Sequence, residues 1–228
     1  MQDAISRRLP GGALRAAAAV VVLGLTLAAG IGLGSVLTTD RRSTGTVQST
    51  PSSVDAGFAR DMQVHHGQAV RMSVLVLARS EDEEVRTLAT DILLTQQQQS
   101  GQMFGWLQQW GLPQASEGTS MAWMDDAVGE SGDMEGMHSG SGSAPSMPGM
   151  ASTQDLAALE AAQGAEADRR YLQLMIPHHQ GGVEMARAAQ DRAETAEATL
   201  LAGTIVRSQT AEIAALEAML DARGGPLP

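Results

Sequence analysis

Four of the chain's five histidines stand in two adjacent pairs, His65-His66 and His178-His179, which are 113 residues apart. Neutral imidazole binds copper, zinc, iron and nickel, and soft thioether sulfur selects Cu(I). Each pair has a methionine three residues before its first histidine and another seven residues after it. These methionines are Met62 and Met72 in the first half and Met175 and Met185 in the second. The repeated pattern predicts a metal site and favours copper.

A structural interpretation of the same residues is the alternative. A histidine in a helical core is commonly a hydrogen-bonded packing residue, and methionine fills irregular gaps between helices. A single histidine would favour this interpretation. The repetition of the whole histidine and methionine pattern favours the metal site instead.

The offset of 113 residues also relates many other positions in the two halves of the chain. Identical residues occupy the paired positions Asp55 and Asp168, Val70 and Val183, Leu88 and Leu201, Ile92 and Ile205, and Gln96 and Gln209. So many identities in one register indicate a duplicated unit of about 55–60 residues.

Charge and composition exclude several functional classes. All 15 basic residues of the chain are arginines, and 26 residues are acidic. Residues after 42 carry 10 arginines against 24 acids, which argues against nucleic acid as a partner and suits a domain that attracts cations. The absence of cysteine excludes disulfides, thiolate zinc sites and a cysteine lipid anchor, so soft ligation would fall to the 13 methionines.

Residues 1–42 read as a cytoplasmic start followed by a membrane segment. The 22 residues from Ala16 to Leu37 carry no charge and follow three arginines, so they can span a bilayer with the rest of the chain exported. A cleaved signal peptide, which would release a secreted protein, is the alternative to an uncleaved anchor. The polar residues 43–54 resemble a linker.

The spacing of apolar residues predicts an all-helical domain over residues 55–222. Four long helices are expected, near residues 55–79, 80–110, 165–191 and 195–222. A capping box, Ser80-x-x-Glu83, should open the second of these, and Thr153 should cap a short helix that ends near Gln163. Pro177 should kink the third long helix. Two hairpins from a duplicated sequence predict a four-helix bundle.

Polar residues interrupt the inward faces of the second and fourth long helices. Antiparallel pairing places Gln96 level with His65 and Gln99 level with Met62. In the second hairpin it places Gln209 level with His178 and Glu212 level with Met175. Because buried polar groups need partners, we expect one layer of histidine, glutamine, glutamate and methionine across the middle of the bundle.

Residues 115–152 are rich in glycine, serine and methionine, and we expect them to be loosely structured. Three M-x-x-M pairs lie here, and the middle pair, Met134 and Met137, adjoins His138. A neutral linker is one interpretation. Capture of Cu(I) by Met134, Met137 and His138 is the other.

Two segments, residues 58–72 and 175–186, resemble the signatures of domain-of-unknown-function family 305, and the resemblance covers about residues 55–220. It implies a ferritin-like four-helix bundle that is usually exported, and some relatives are described as copper-binding proteins. In this sequence Val64 replaces the usual proline and Gly182 the usual alanine. Neither change removes a histidine or methionine of the pattern.

The leading hypothesis is an exported protein, anchored by its N-terminal helix, that binds copper for sequestration or tolerance. A ferritin-like metal oxidase is the second hypothesis, but neither histidine frame has the Glu-x-x-His pattern of di-iron sites, and only Glu184 and Glu212 offer nearby carboxylates. The third is a structural helical module with core histidines. Self-association into a homo-oligomer is left open.

Overall fold

The computed structural model of the protein describes residues 53–116, 118–125 and 147–228. Every regular element in these ranges is a helix, which confirms the predicted all-helical class. The helices are α1 (Val54–Leu77), α2 (Glu83–Gln109), α3 (Ala122–Asp125), α4 (Thr153–Ala161), α5 (Gly164–Arg192) and α6 (Ala196–Ala222).

The four long helices pack as two hairpins within a helical bundle. α1 pairs with α2, α5 pairs with α6, and the hairpins meet through α1 and α5. The short helix α4 contacts both α1 and α5, and α3 contacts α1. α5 runs unbroken through Pro177. The predicted membrane segment at residues 16–37 lies outside the described residues, and no helix within them is long and apolar enough to cross a membrane.

Two of the predicted helix caps are wrong by one or two residues. Asp82, not Ser80, is the N-cap of α2, since its carboxylate accepts hydrogen bonds from the backbone amides of Glu84 and Val85. One carboxylate oxygen thus satisfies two donors that a helix start leaves unpaired, and Ser80 shapes the preceding turn instead. Ser152 caps α4 in a reciprocal box with Asp155.

The apolar core consists of two clusters that lie at different heights along the long helices. The first cluster includes Phe58, Met62, Met103, Met185 and Ile205. The second cluster includes Met72, Ile92, Tyr171, Met175 and Leu216. The histidine pairs of α1 and α5 fall between these clusters along both helices.

The ends of the methionine-rich segment are packed against the bundle, so the loose structure expected across residues 115–152 does not extend to them. The buried Asp61 carboxylate accepts hydrogen bonds from Ser120, from the Met121 amide and from the Trp123 indole. The Trp123 ring lies edge-on to Phe58, with centroids 6.0 Å apart. A buried carboxylate requires hydrogen-bond partners, and residues at the start of the segment supply them. These bonds hold the start of the segment against α1. Residues 126–146 lie outside the described residues.

Candidate metal centre

The structure brings all four paired histidines into one layer, and each is fully buried. The His65 and His178 rings face each other across the α1–α5 contact, with centroids 3.9 Å apart and planes inclined by 35°. The outer rings, His66 and His179, lie 6.5 and 6.4 Å from their chain neighbours. Since α1 and α5 carry the same pattern, their packing places the two copies of the pattern face to face.

The hydrogen bonds of three rings determine which nitrogen of each carries the hydrogen. His66 Nε2 lies 2.8 Å from Gln99 Oε1, and His179 Nε2 lies 2.7 Å from Glu212 Oε2. His65 Nε2 lies 3.1 Å from the Pro148 carbonyl oxygen. Carbonyl and carboxylate oxygens only accept, so each Nε2 donates, and in the neutral form of such a ring the lone pair is on Nδ1.

Several polar atoms of this layer have no hydrogen-bond partner among the described residues. They are Nδ1 of His65, His66 and His179, both ring nitrogens of His178, and the side-chain amides of Gln96 and Gln209. An unpaired polar group inside a protein costs about 1–3 kcal/mol. Several such nitrogens on neighbouring rings are unusual for a packed core, which makes this layer the candidate site.

Burial keeps three of these imidazoles neutral. It lowers the pKa of His65 to about 4 and that of His66 to about 3. For His178, burial and the neighbouring His65 ring lower the pKa well below the ordinary value of 6.5. A metal binds only the neutral form of imidazole, so at neutral pH these rings are ready to act as ligands.

Counting residues from the turn did not predict the side-chain contacts across the hairpins. Gln99 was expected level with Met62 and Glu212 level with Met175, and their side chains bond His66 and His179. Side chains on a helix lean toward its N-terminus, so two that meet across an antiparallel pair have backbone positions shifted in opposite directions. Counting residues from the turn does not include this lean.

The four methionines of the pattern are fully buried on either side of the histidine layer. Met62 and Met185 belong to the first core cluster, and Met72 and Met175 to the second. Each side of the layer therefore has one thioether from each half of the sequence. Met134, Met137 and His138 lie outside the described residues.

The rings as placed here do not form a coordination shell. Across the described ranges, no three histidine, aspartate or glutamate side chains converge closely enough to hold a metal ion together. Facing rings direct their nitrogen lone pairs within the ring planes rather than at each other. Imidazole nitrogen and thioether sulfur are donors that suit a soft or borderline metal, but ligation by both His65 and His178 requires at least one ring to turn.

Residues 147–151 form a strap over the layer that the sequence did not predict. The strap ends where the Ala151 backbone exchanges hydrogen bonds of 2.7 and 2.9 Å with the side chain of Gln68. Its approach to α5 is very close, since a Cβ added to Gly181 would lie 2.0 Å from the Pro148 carbonyl oxygen. The Gly181-Gly182 pair, which replaces Gln68-Ala69 of the first repeat, was the available signal. Gly182 makes room for Gln209.

A helical bundle with an internal repeat and a buried layer of paired histidines defines the class of this protein. Residues 55–220 match the profile of the family described as "Domain of unknown function (DUF305)". The chain therefore belongs to the DUF305 family. No protein with a curated description matches it significantly.

Solved structures of relatives share the fold. A DUF305 protein from Streptomyces coelicolor, described as a candidate secreted protein, is 41% identical with a TM-score of 0.68, covering 78% of this chain and 99% of its own. A DUF305 fragment from Deinococcus radiodurans is 33% identical with a TM-score of 0.57. The match covers 77% of this chain and 97% of the fragment. CopM with Cu(I) bound is 28% identical with a TM-score of 0.55. The match covers 75% of this chain and 98% of CopM. CopM has also been solved with Cu(II) and with silver bound.

Proposed function

We propose that this protein binds copper and holds it for sequestration or tolerance. The observation that carries the proposal is the buried layer of imidazoles whose nitrogens lack partners. Neutral imidazole accepts either oxidation state of copper, and the thioethers of Met62, Met72, Met175 and Met185 add a preference for Cu(I). The copper and silver forms of CopM support the same metal class.

In this proposal Gln96, Gln99, Gln209 and Glu212 support the imidazoles. A carboxylate or amide oxygen that accepts from one ring nitrogen orients the other toward a metal. Gln99 and Glu212 already do this for His66 and His179.

The methionine-rich segment has a separate part in the proposal. Met134, Met137 and His138 would collect Cu(I) and pass it along the chain to the strap, whose Pro148 carbonyl contacts His65. The bundle, of ferritin-like type, would stand outside the cytoplasmic membrane. The apolar segment at residues 16–37 would anchor it, or would release a secreted protein if cleaved.

The test is a Cu(I) competition titration of the wild type and a variant with His65→Leu and His178→Leu. Leucine replaces the facing rings with apolar groups of similar size, and the only hydrogen bond that either ring makes among the described residues, from His65 to the Pro148 carbonyl, is lost with it. We expect the Cu(I) affinity to fall by about tenfold or more, with helicity by circular dichroism unchanged. A matched control, Val64→Leu, alters an exposed residue beside His65.

Unchanged copper affinity and stoichiometry in the double-leucine variant would contradict the proposal. The histidines would then be core residues, as in the structural alternative. Oxygen consumption by the copper-loaded or iron-loaded wild type would favour a metal oxidase instead.

A further inference from the structure

The first core cluster is richer in methionine than the second. Among the described residues its methionines are Met62, Met103, Met121 and Met185, which are buried, and Met124 and Met147, which are partly buried. Those of the second cluster are Met72, Met175 and Met219. Thioether sulfur is a soft metal donor, so a concentration of methionines outside the histidine layer is a candidate site of its own.

The repeat provides an internal comparison between the two clusters. The methionines beside the histidine layer are equivalent in both. The short helix α4 contributes Leu156 and Leu159 to the second cluster, whereas the methionine-rich segment contributes Met121, Met124 and Met147 to the first. Leucine therefore suffices to complete an equivalent core, and space filling alone does not require methionine at the other end.

The backbone at Met121 indicates a role beyond packing. Its φ is 68°, and in the part of the chain that the structure describes no other residue except glycine has a positive φ. This left-handed conformation is unfavourable for a residue with a Cβ, and glycine adopts it more easily. The position nevertheless holds a methionine whose side chain is buried. Backbone strain of this kind clusters at binding sites, where surrounding contacts maintain it.

Hydrogen bonds from two long helices hold the turn from Met121 to Met124 in place. Asp61 of α1 accepts from the Met121 amide at 2.7 Å and from the Trp123 indole at 2.8 Å. Arg192 of α5 donates to the carbonyl oxygens of Trp123 and Met124 at 2.7 and 3.4 Å. Within the turn, the Met124 amide donates to the Met121 carbonyl at 2.8 Å. Two thioethers are thus carried on one fixed turn, and both pack in the cluster that includes Met147.

Asp61 also places a negative charge beside these thioethers. Its carboxylate is 6% exposed, and its hydrogen bonds come from a hydroxyl, a backbone amide and an indole, which are all neutral. A buried charge without an ionic partner is costly. A monovalent cation held by the neighbouring sulfur atoms would offset that cost and leave the pair neutral.

We propose that Met121, Met124 and Met147 form a thioether site for a soft monovalent cation, Ag(I) or Cu(I), at the end of the bundle where α3 lies. Asp61 positions two of the donors and balances the charge without touching the ion. The site uses none of the histidines, so it goes beyond the function proposed for the histidine layer.

The test is nuclear magnetic resonance of the full chain, labelled with ¹³C in its methionine methyl groups and titrated with Ag(I). We expect the methyl signals of Met121, Met124 and Met147 to shift together, while that of Met219 stays in place. The same shifts should occur in the variant with His65→Leu and His178→Leu, because the site is independent of the facing rings.

A second variant carries Met121→Leu, Met124→Leu and Met147→Leu. Leucine is similar to methionine in volume and has no sulfur, so the bundle should keep its helicity and bind one Ag(I) fewer than the wild type. Met219→Leu, the same change at a partly buried position of the second cluster, is the matched control and should bind the full number of ions.

The outcomes distinguish this site from the histidine layer. Methyl signals of Met121, Met124 and Met147 that do not move while Ag(I) binds elsewhere would overturn the proposal and leave the function of the layer in place. Loss of the three shifts in the double-leucine histidine variant would also contradict a separate site. Retention of the shifts in a protein whose layer binds no copper would support the site without the proposed function. If the triple variant does not fold, the methyl shifts of the wild type decide.

Discussion

The buried imidazoles make the stability of the metal-free protein depend on pH. The folded state keeps His65, His66 and His178 neutral, whereas in the unfolded chain histidine takes up a proton near pH 6.5. The unfolded state therefore binds more protons below that pH. The free energy of unfolding should be constant above about pH 7.5 and should fall as the pH decreases from 6.5 toward 4. Each ring contributes a slope of up to about 1.4 kcal/mol per pH unit.

Urea denaturation in the presence of a chelator, at several pH values from about 5 to 8, measures this dependence. Circular dichroism at each pH before urea is added verifies that the starting state is folded. An unfolding free energy that is the same at about pH 5 and pH 7.5 would contradict the burial of neutral rings.

One polar pair in the core joins the two repeats and has no counterpart at the equivalent positions. Ser73 Oγ and Tyr171 Oη are 3.1 Å apart inside the bundle. The equivalent positions across the repeat are Ala186 and Phe58, so both hydroxyls are absent there together. Losing one partner leaves the other unpaired, whereas losing both is nearly neutral, which explains why the two residues differ as a pair.

A double-mutant cycle tests this pairing. Ser73→Ala and Tyr171→Phe should each lower the unfolding free energy by about 1–2 kcal/mol, and the double variant should lose clearly less than the sum. The double variant reproduces the Ala186 and Phe58 pair already present in the core. Additive losses in thermal or urea denaturation would show that the two hydroxyls do not interact.

Residue types and spacing were sufficient to identify the residues of the buried layer but not their geometry. The repeated histidines and methionines were identified from their common offset, and all eight are buried around one layer. The strap was not predicted, because no periodicity marks residues 147–151. The Gly181-Gly182 pair signals a close approach but does not show which segment makes it. The hydrogen bond of His66 to Gln99 was not predicted, because counting residues from the turn aligns backbone positions and takes no account of side-chain lean.

At the level of elements, the start of α1 in one hairpin hydrogen-bonds the start of α6 in the other. Asp55, in the first turn of α1, accepts hydrogen bonds from the backbone amides of Glu194 and Thr195 at 3.0 and 2.9 Å, and from the Thr195 hydroxyl. Thr195 is the N-cap of α6, in the other hairpin. The identity of Asp55 and Asp168 was visible in the sequence, but its reason is this contact across hairpins.

The equivalent contact at Asp168 is weaker. Asp168 lies at the turn between α1 and α2, where burial and the carboxylate of Asp82 raise its pKa. One of its oxygens has no partner among the described residues. The position equivalent to Thr195 is Asp82, and an acidic residue there repels Asp168 instead of donating to it. Arg223 compensates by bonding Asp82 at 2.7 Å.

We therefore expect Asp55→Asn and Asp168→Asn to differ although they are the same change at equivalent positions. Asp55→Asn turns an amide donor toward buried donors and should lower the unfolding free energy by about 2–3 kcal/mol. Asp168→Asn removes a charge that burial disfavours and should cost less than about 1 kcal/mol. Urea denaturation of both variants at neutral pH measures the difference. Equal losses would contradict the assigned roles.

The helix ends show how much of an element the sequence determines. Each long helix was predicted to within about two or three residues, because apolar stripes and glycine or proline stops are local signals. The N-caps of α2 and α4 were misplaced by one or two positions, since nearby residues such as Ser80 and Asp82 can each cap a helix. Which of them does so is decided by the turn that tertiary contacts impose.

At the scale of the whole molecule, the duplicated sequence folds into two hairpins whose contact through α1 and α5 contains the histidine layer. Neither hairpin alone has the facing pair of His65 and His178. The candidate site is therefore a property of the interface between the repeats. Its assembly was predictable, because the duplicated frame implied equivalent helices that meet at equivalent positions.

Asp55 and Asp168 each lie at the turn of the other hairpin, and this reciprocal arrangement has a consequence for the origin of the chain. A single ancestral hairpin that paired with an identical copy would have had both contacts and a complete histidine layer, as an isologous dimer does. Joining the copies in one gene removes the requirement that they stay identical. Glu212 could then arise at the position equivalent to Gln99, a divergence that a dimer of two identical chains cannot make.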